Sequence, residues 1–215
     1  MRVDLWTWSL SGGDARLLSA DERQRAERFV RPQDRARYVA GRSRLRAILG
    51  RYLGRPPGEL RFAYGPHGRP MLAGVGFSLA HAEELAALAV GPEPTMGLDI
   101  ERRRPVDAAT ARQYLSASEQ AEVEALPAGT RDLARLRAWT RKEAVMKALG
   151  FGLAGDFTRV EVTTGPEARL RACPDGDAWR WSLREVSLGP EVVAALAVRA
   201  DGATVEVVER CWDEA

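Results

Sequence analysis

The polar and apolar positions of this chain alternate between two periods. Residues 3–10 alternate and are rich in tryptophan, which predicts a strand. Ser19-Ala20-Asp21-Glu22 has the polar chemistry of a helix start. Arg35–Leu53 follows as a helix with Tyr38, Val39, Leu45, Ile48, Leu49 and Leu53 as its apolar stripe, closed by Gly54 and a Pro56-Pro57-Gly58 loop. Short strands are then expected at Leu60–Tyr64, Gly76–Ala80, Leu85–Val90 and Met96–Glu101, separated by Gly/Pro turns. Beyond a charged junction at Arg102–Pro105, helices are expected at 107–115, 117–125 and 131–149. Strands return at Phe157–Thr163, Leu170–Ala172, Trp179–Leu188, Val192–Val198 and Ala203–Glu209.

This order repeats itself. Leu85–Val90 (LAALAV) matches Val193–Val198 (VAALAV) at an offset that also carries Glu101 onto Glu209, and Leu18–Glu22 resembles Leu115–Glu119. The expected fold is α+β, built of two similar halves related by pseudo-twofold symmetry, residues 1–103 and 104–215. The cleft between them is the natural ligand site.

Composition narrows the class. The 215 residues suffice for a core without disulfide staples, and 45% hydrophobic with 29% charged residues is ordinary for a globular chain. The longest aliphatic run, Val192–Val198, is far short of the ~20 residues of a membrane span. The opening Met1-Arg2-Val3-Asp4 lacks an apolar stretch, so no secretory leader is expected, and the expected location is cytoplasmic. Two cysteines and two histidines make no zinc motif. Net charge is only +2, yet residues 22–55 hold eleven arginines, which suits an anionic partner or simply a solvated helix surface. Against thirty arginines stand two lysines, Lys142 and Lys147, close together in the last long helix. Codon bias explains the rarity. Their clustering suggests sites where a compact ammonium is needed.

Charges break the pattern in two places. In Gly97-Leu98-Asp99-Ile100-Glu101 the alternation of a strand puts Asp99 and Glu101 on one face and Leu98 and Ile100 on the other. Side-by-side carboxylates repel unless a cation lies between them, and hard oxygen ligands suit Mg2+. A solvent-facing edge strand would show the same spacing. In helix 131–149, Glu143 and Lys147 fall within the stripe of Leu133, Leu136, Trp139 and Met146. Four residues apart, they would also form an ordinary intrahelical ion pair. Three carboxylates, a lysine and a basic first half fit Mg2+-assisted phosphate-ester chemistry. Neither GxxxxGK[ST] nor GxGxxG is present.

Gly97–Glu101 followed by Trp139-Thr-Arg-Lys-Glu-Ala-Val-Met-Lys147-Ala-Leu-Gly150 resembles the paired signature of the 4′-phosphopantetheinyl transferases. The length, the repeat and Phe77-Ser-Leu-Ala-His81 resemble the larger, pseudo-dimeric surfactin-type branch, over about Leu18–Gly152. The resemblance implies a Mg2+-dependent enzyme that moves the 4′-phosphopantetheine arm of coenzyme A onto a serine of an acyl, peptidyl or aryl carrier protein. Adenosine 3′,5′-bisphosphate is the other product. It implies Asp99, Glu101 and Glu143 as metal ligands, Glu143 also as base, and Lys147 as the neutraliser of diphosphate charge. Arg25, Arg69 with Pro70, His81, Lys142 and Lys147 are the implied coenzyme contacts. A lone histidine after a buried strand is otherwise structural. Ala80 and Ala82 replace the small hydroxyl residues that commonly flank this histidine, and Glu22 stands where a basic residue is common. His67 is read as turn surface.

A monomer is expected, with no nucleic-acid or membrane partner, and with the carrier docking on helices 107–125 and the loop to Arg131. The same carboxylates would also serve a Mg2+-dependent nucleotide phosphohydrolase. An RNA-binding module is the remaining reading, but few aromatics interleave with the arginines.

Overall fold

The computed structural model describes residues 1–92, 95–152 and 155–212. The first half runs β1 (Arg2–Ser9), α1 (Ala20–Glu27), α2 (Pro32–Leu53), β2 (Ala63–Tyr64), β3 (Pro70–Met71), β4 (Gly76–Ala82) and β5 (Leu85–Gly91). The second runs β6 (Met96–Arg102), α3 (Ala108–Ala111), α4 (Ala117–Ala125), α5 (Ala128–Leu149), β7 (Glu161–Val162), β8 (Leu170–Ala172), β9 (Trp181–Glu185) and β10 (Val192–Arg199). A last strand, β11 (Glu206–Cys211), closes the chain.

The sheets make the duplication explicit. One has the order β11-β1-β5-β4, the other β6-β10-β9. In each, the half's opening strand and its penultimate strand flank a long central one, β5 or β10. The division expected at residue 103 is therefore misplaced by one strand: β6 hydrogen-bonds to β10 along its length and belongs to the second sheet. β11 crosses back to pair in parallel with β1. Glu209 lies on that returning strand, opposite Leu5, so its match to Glu101 is coincidental.

The two sheets pack face to face. Val3, Leu5, Ala87 and Ala89 from one meet Leu98, Ile100, Ala194, Leu196 and Val198 from the other in one apolar cluster. On the outer faces α2 covers the first sheet and α5 the second. Central strands covered on both faces have no polar side, which is why Leu85–Val90 and Val192–Val198 read as unbroken apolar runs. Small alanines there let the layers approach.

The helices repeat as well. α2 and α5 each have 22 residues and each ends on a glycine in the left-handed region, Gly54 and Gly150. α1 and α4 each open with a capping box, Ser19/Glu22 and Ser116/Glu119. In both halves the box glutamate is buried and grips a cation on the long helix. Glu22 takes Arg42 and Arg46, and Glu119 takes Lys142. Glu22, out of place for a phosphate-binding surface, is thus an internal anchor.

Several expected elements are shorter. The helix of 107–115 is one turn, Ala108–Ala111, capped by Asp107. Of Leu60–Tyr64 only Ala63–Tyr64 is strand, because Leu60 is buried and its carbonyl accepts from Arg46. Phe157–Thr163 splits into a 3-10 turn, Phe157–Arg159, and β7. Among the described residues no helix is long and apolar enough to cross a membrane.

Candidate functional site

Where the edges of the two sheets meet, β4 lies beside β6, and Leu98 N–H donates to Ser78 Oγ in place of a ladder bond, at 2.9 Å. The sheets part there over a cavity of about 700 Å3. Phe77, Leu79 and His81 of β4 and Arg69 and Pro70 from the first half form one wall; Asp99, Glu143 and Lys147 of the second half form the other.

β6 delivers Asp99 as its alternation requires. Leu98 and Ile100 enter the intersheet core, and Asp99 turns to α5, itself only 6% exposed. A glycine makes that approach possible. A methyl carbon on Gly97 would lie 1.9 Å from Ala144 O and 2.6 Å from Ala148 N, both backbone atoms of α5. Gly97→Ala should push α5 off the strand and reduce turnover by about tenfold or more, since displacement by ~1 Å disrupts a positioned site. Steady-state rates of a variant shown to be folded by circular dichroism check this; parent-like turnover would contradict it.

Lys147 Nζ donates to Asp99 Oδ1 at 2.6 Å, whereas its nearest approach to Glu143 is 4.0 Å. The lysine therefore serves the strand carboxylate across the interface rather than its own helix. Asp99 Oδ2 is buried and has no hydrogen-bond partner. Burial pushes the Asp99 carboxyl up to about 7, against the pull of Lys147 and with further upward pressure from Glu143 and Glu101. Burial also raises Glu143, again opposed by Lys147. Two desolvated carboxylates, one with an orphaned oxygen, are a donor set short of positive charge, and a divalent cation fits it.

Glu101 is turned elsewhere. Its Oε1 accepts from the Trp139 indole N–H at 2.9 Å and its Oε2 lies 3.6 Å from Arg104. Trp139 is in turn held between Tyr114 and Phe157. Among the described residues no three His, Cys, Asp or Glu side chains close on one point, so the expected triad is a pair with its third member beside it.

The implied coenzyme contacts divide. His81 and Pro70 line both this cavity and a second one of about 610 Å3 that runs on toward α1. Arg25 lines the second and not the first, its guanidinium over the Tyr38 ring at 5.5 Å. Lys142 does not reach the cleft. Its ammonium is sealed inside the second half, 2.6 Å from Glu119 Oε2, donating to Tyr114 O at 2.7 Å and Phe157 O at 3.0 Å. Lys142 is a structural cation, the counterpart of Arg46, which binds Glu22 and the carbonyls of Pro57 and Leu60. His67, read from the sequence as turn surface, lines the cavity near Gly152. No local pattern announces it, because the turn reaches the cavity only through packing of the two halves.

Register explains why a duplicated chain has one such site. Opposite the matching residues of β5, the first half places Leu5, Thr7 and Ser9 where β6 has Gly97, Asp99 and Glu101. Counting back from the capping glycines, α2 has Ala47 and Arg51 where α5 has Glu143 and Lys147. The anchor pairs persist in both halves; the carboxylate cluster exists in one.

Comparison with known proteins agrees with this layout. Residues 95–197 match the family model of the 4′-phosphopantetheinyl transferase superfamily, and residues 8–93 match a 4′-phosphopantetheinyl transferase N-terminal model. The break between them falls before β6, as in the sheets. The 4′-phosphopantetheinyl transferase HetI of Nostoc sp. is 37% identical over 71% of this chain and 70% of its own length. A putative 4′-phosphopantetheinyl transferase, slr0495 of Synechocystis sp., is 33% identical over 67% of this chain and 61% of its own. Sfp of Bacillus subtilis is 24% identical over 64% and 62%. The aligned region thus spans about three fifths of the last two relatives. Taken with its two-half architecture, this chain belongs to the 4′-phosphopantetheinyl transferase superfamily, in the larger surfactin-type branch, and its enzyme type is that of a phosphopantetheinyl transferase.

Proposed function

We propose that the cleft binds coenzyme A and Mg2+ and transfers the 4′-phosphopantetheine arm to a serine of an acyl, peptidyl or aryl carrier protein. The observation that carries this reading is the unpartnered carboxylate oxygen of Asp99, a residue that lines one cavity with Glu143, Lys147 and His81. Asp99 and Glu143 are the pair that would hold the metal; Glu101, its Oε1 bonded to the Trp139 indole, would join them only through its Oε2 or by releasing the indole. Bound there, Mg2+ would neutralise charge on the diphosphate.

The carrier serine Oγ forms a new bond to the phosphorus that bears the pantetheine. The bond from that phosphorus to the bridging diphosphate oxygen breaks, and adenosine 3′,5′-bisphosphate leaves. The serine proton passes to Glu143, directly or through a water. Lys147 meets the charge that builds on the leaving phosphate. His81 stands where the two cavities join, a position suited to a diphosphate that spans both.

The docking face proposed for the carrier is α3 and its surroundings, with exposed Arg112 at its centre. Arg131, half-buried, also holds the adjoining corner together. Its guanidinium donates to the carbonyls of Leu126 and Glu124 and to the Glu124 carboxylate, bolting the α4–α5 corner.

Incubation of an apo carrier protein with coenzyme A and Mg2+, followed by intact-mass analysis, tests the reading. A mass gain of one phosphopantetheine, abolished by chelator and restored by Mg2+, is expected. An unchanged carrier across fatty-acid, polyketide and peptide types would refute it. Lys147→Arg should lower kcat by about tenfold, because a planar guanidinium cannot replace a compact ammonium wedged against Asp99. Full activity of that variant would show Lys147 to be peripheral.

A further inference from the structure

Arg69 lies at the end of the tight turn between β2 and β3, which Gly65 N–H closes onto Arg69 O at 2.9 Å. The family resemblance makes it a coenzyme contact. Its side chain is engaged elsewhere. Nη1 donates to Lys147 O at 2.6 Å and to Ala148 O at 3.0 Å, and Nη2 donates to Met96 O at 2.8 Å.

These three carbonyls belong to the two elements that build the site. Lys147 and Ala148 lie in the last turn of α5, at the negative end of the helix dipole, and Lys147 O also accepts from the Gly150 N–H that closes the helix. Met96 opens β6, three residues before Asp99. Arg69 itself comes from the other half of the molecule. One guanidinium thus ties the first half to both the helix that carries Glu143 and Lys147 and the strand that carries Asp99.

We infer that Arg69 is a positioning residue: a clamp on the end of α5 and the start of β6 that sets the spacing of Lys147, Glu143 and Asp99. Gly97 permits the close approach of strand and helix, and Arg69 fixes it from the cleft side. The fork matters more than the charge. Three carbonyls on two elements need donors in a rigid plane, and an ammonium on a shorter reach satisfies fewer of them. The inference rests on the proposed transfer reaction only for its kinetic arm.

The test uses Arg69→Lys and Arg69→Ala in the whole chain. Both should lower kcat by about tenfold or more and leave the KM for coenzyme A within about twofold, because loss of alignment acts on the reaction rather than on binding. In both, hydrogen exchange of the amides of Gly150 and Phe151, which close the end of α5, should accelerate by about tenfold. If Arg69→Ala does not fold, Arg69→Lys, which keeps the charge, carries the test alone. A lysine variant with parent-like kcat and exchange would overturn the clamp. So would an alanine variant with a raised KM, unchanged kcat and unchanged exchange, which would make Arg69 a phosphate contact. The exchange measurement needs no turnover. A parent protein that transfers nothing therefore counts against the proposed function, while exchange still decides the clamp.

Discussion

Asp99→Asn should abolish most turnover and leave the metal-free protein at least as stable as its parent at about pH 8. The loss of activity should be a hundredfold to a thousandfold, about what removal of one charge-stabilising group costs at other sites. The stability follows from the sign of the shift. In the unfolded chain this carboxyl titrates near 3.8, and in the folded protein near 7, chiefly because burial disfavours its charge. Between those values the folded protein keeps a proton that the unfolded chain has released. The native state therefore loses stability as pH rises through that window. The raised Glu143 adds to the same slope. An asparagine has no proton to give up, so the variant's melting temperature should fall less between about pH 5 and pH 8. Melting curves and initial rates on the same preparations check both parts. An inactive variant that also melts well below its parent at about pH 8 would make Asp99 a structural anchor and remove it from the site.

Lys142→Met should do the reverse, unfolding the protein readily while sparing the chemistry. Removing the ammonium leaves Glu119 buried, with only the backbone donors of Ser116 and Val162, and takes a donor from the carbonyls of Tyr114 and Phe157, the second of which keeps only the Val160 N–H. Breaking a buried ion pair from one side costs about 3–5 kcal/mol. For a chain of this size that is a drop in Tm of roughly 6–20 °C. Turnover per folded molecule, measured well below the transition, should be close to that of the parent. A variant of unchanged Tm with an increased KM for coenzyme A would return Lys142 to the coenzyme contacts.

These two aspartate and lysine positions mark where the sequence can and cannot be read. Asp99 was legible because strand alternation is local: Leu98 and Ile100 had to face the core, so Asp99 and Glu101 had to face away from it together. The repeat was legible because central strands covered on both faces are reduced to small apolar residues in both halves. Lys142 was misread because its neighbour in sequence, Glu143, faces the cleft, while a 100° turn of the helix sends Lys142 into the second half's interior. The division between the halves, expected at residue 103, lies one strand too late because a linker's composition says nothing of the sheet into which the preceding strand is bonded. Glu101 was placed on the right face, but its bond to Trp139 depends on two aromatic partners distant in the chain. The roles of Arg69 and His67 lie wholly in contacts between halves, and no periodicity encodes them.

The same carboxylate pair could in principle pass a phosphate to water, and the distinction lies in the acceptor. The most direct measurement counts both products in one vessel: adenosine 3′,5′-bisphosphate and phosphopantetheinylated carrier, from coenzyme A and Mg2+, with and without apo carrier. Equal amounts of the two products, and essentially no bisphosphate when the carrier is omitted, is the predicted result. Bisphosphate released at the same rate without carrier, or without any mass gain on its serine, would contradict transfer and leave a phosphohydrolase.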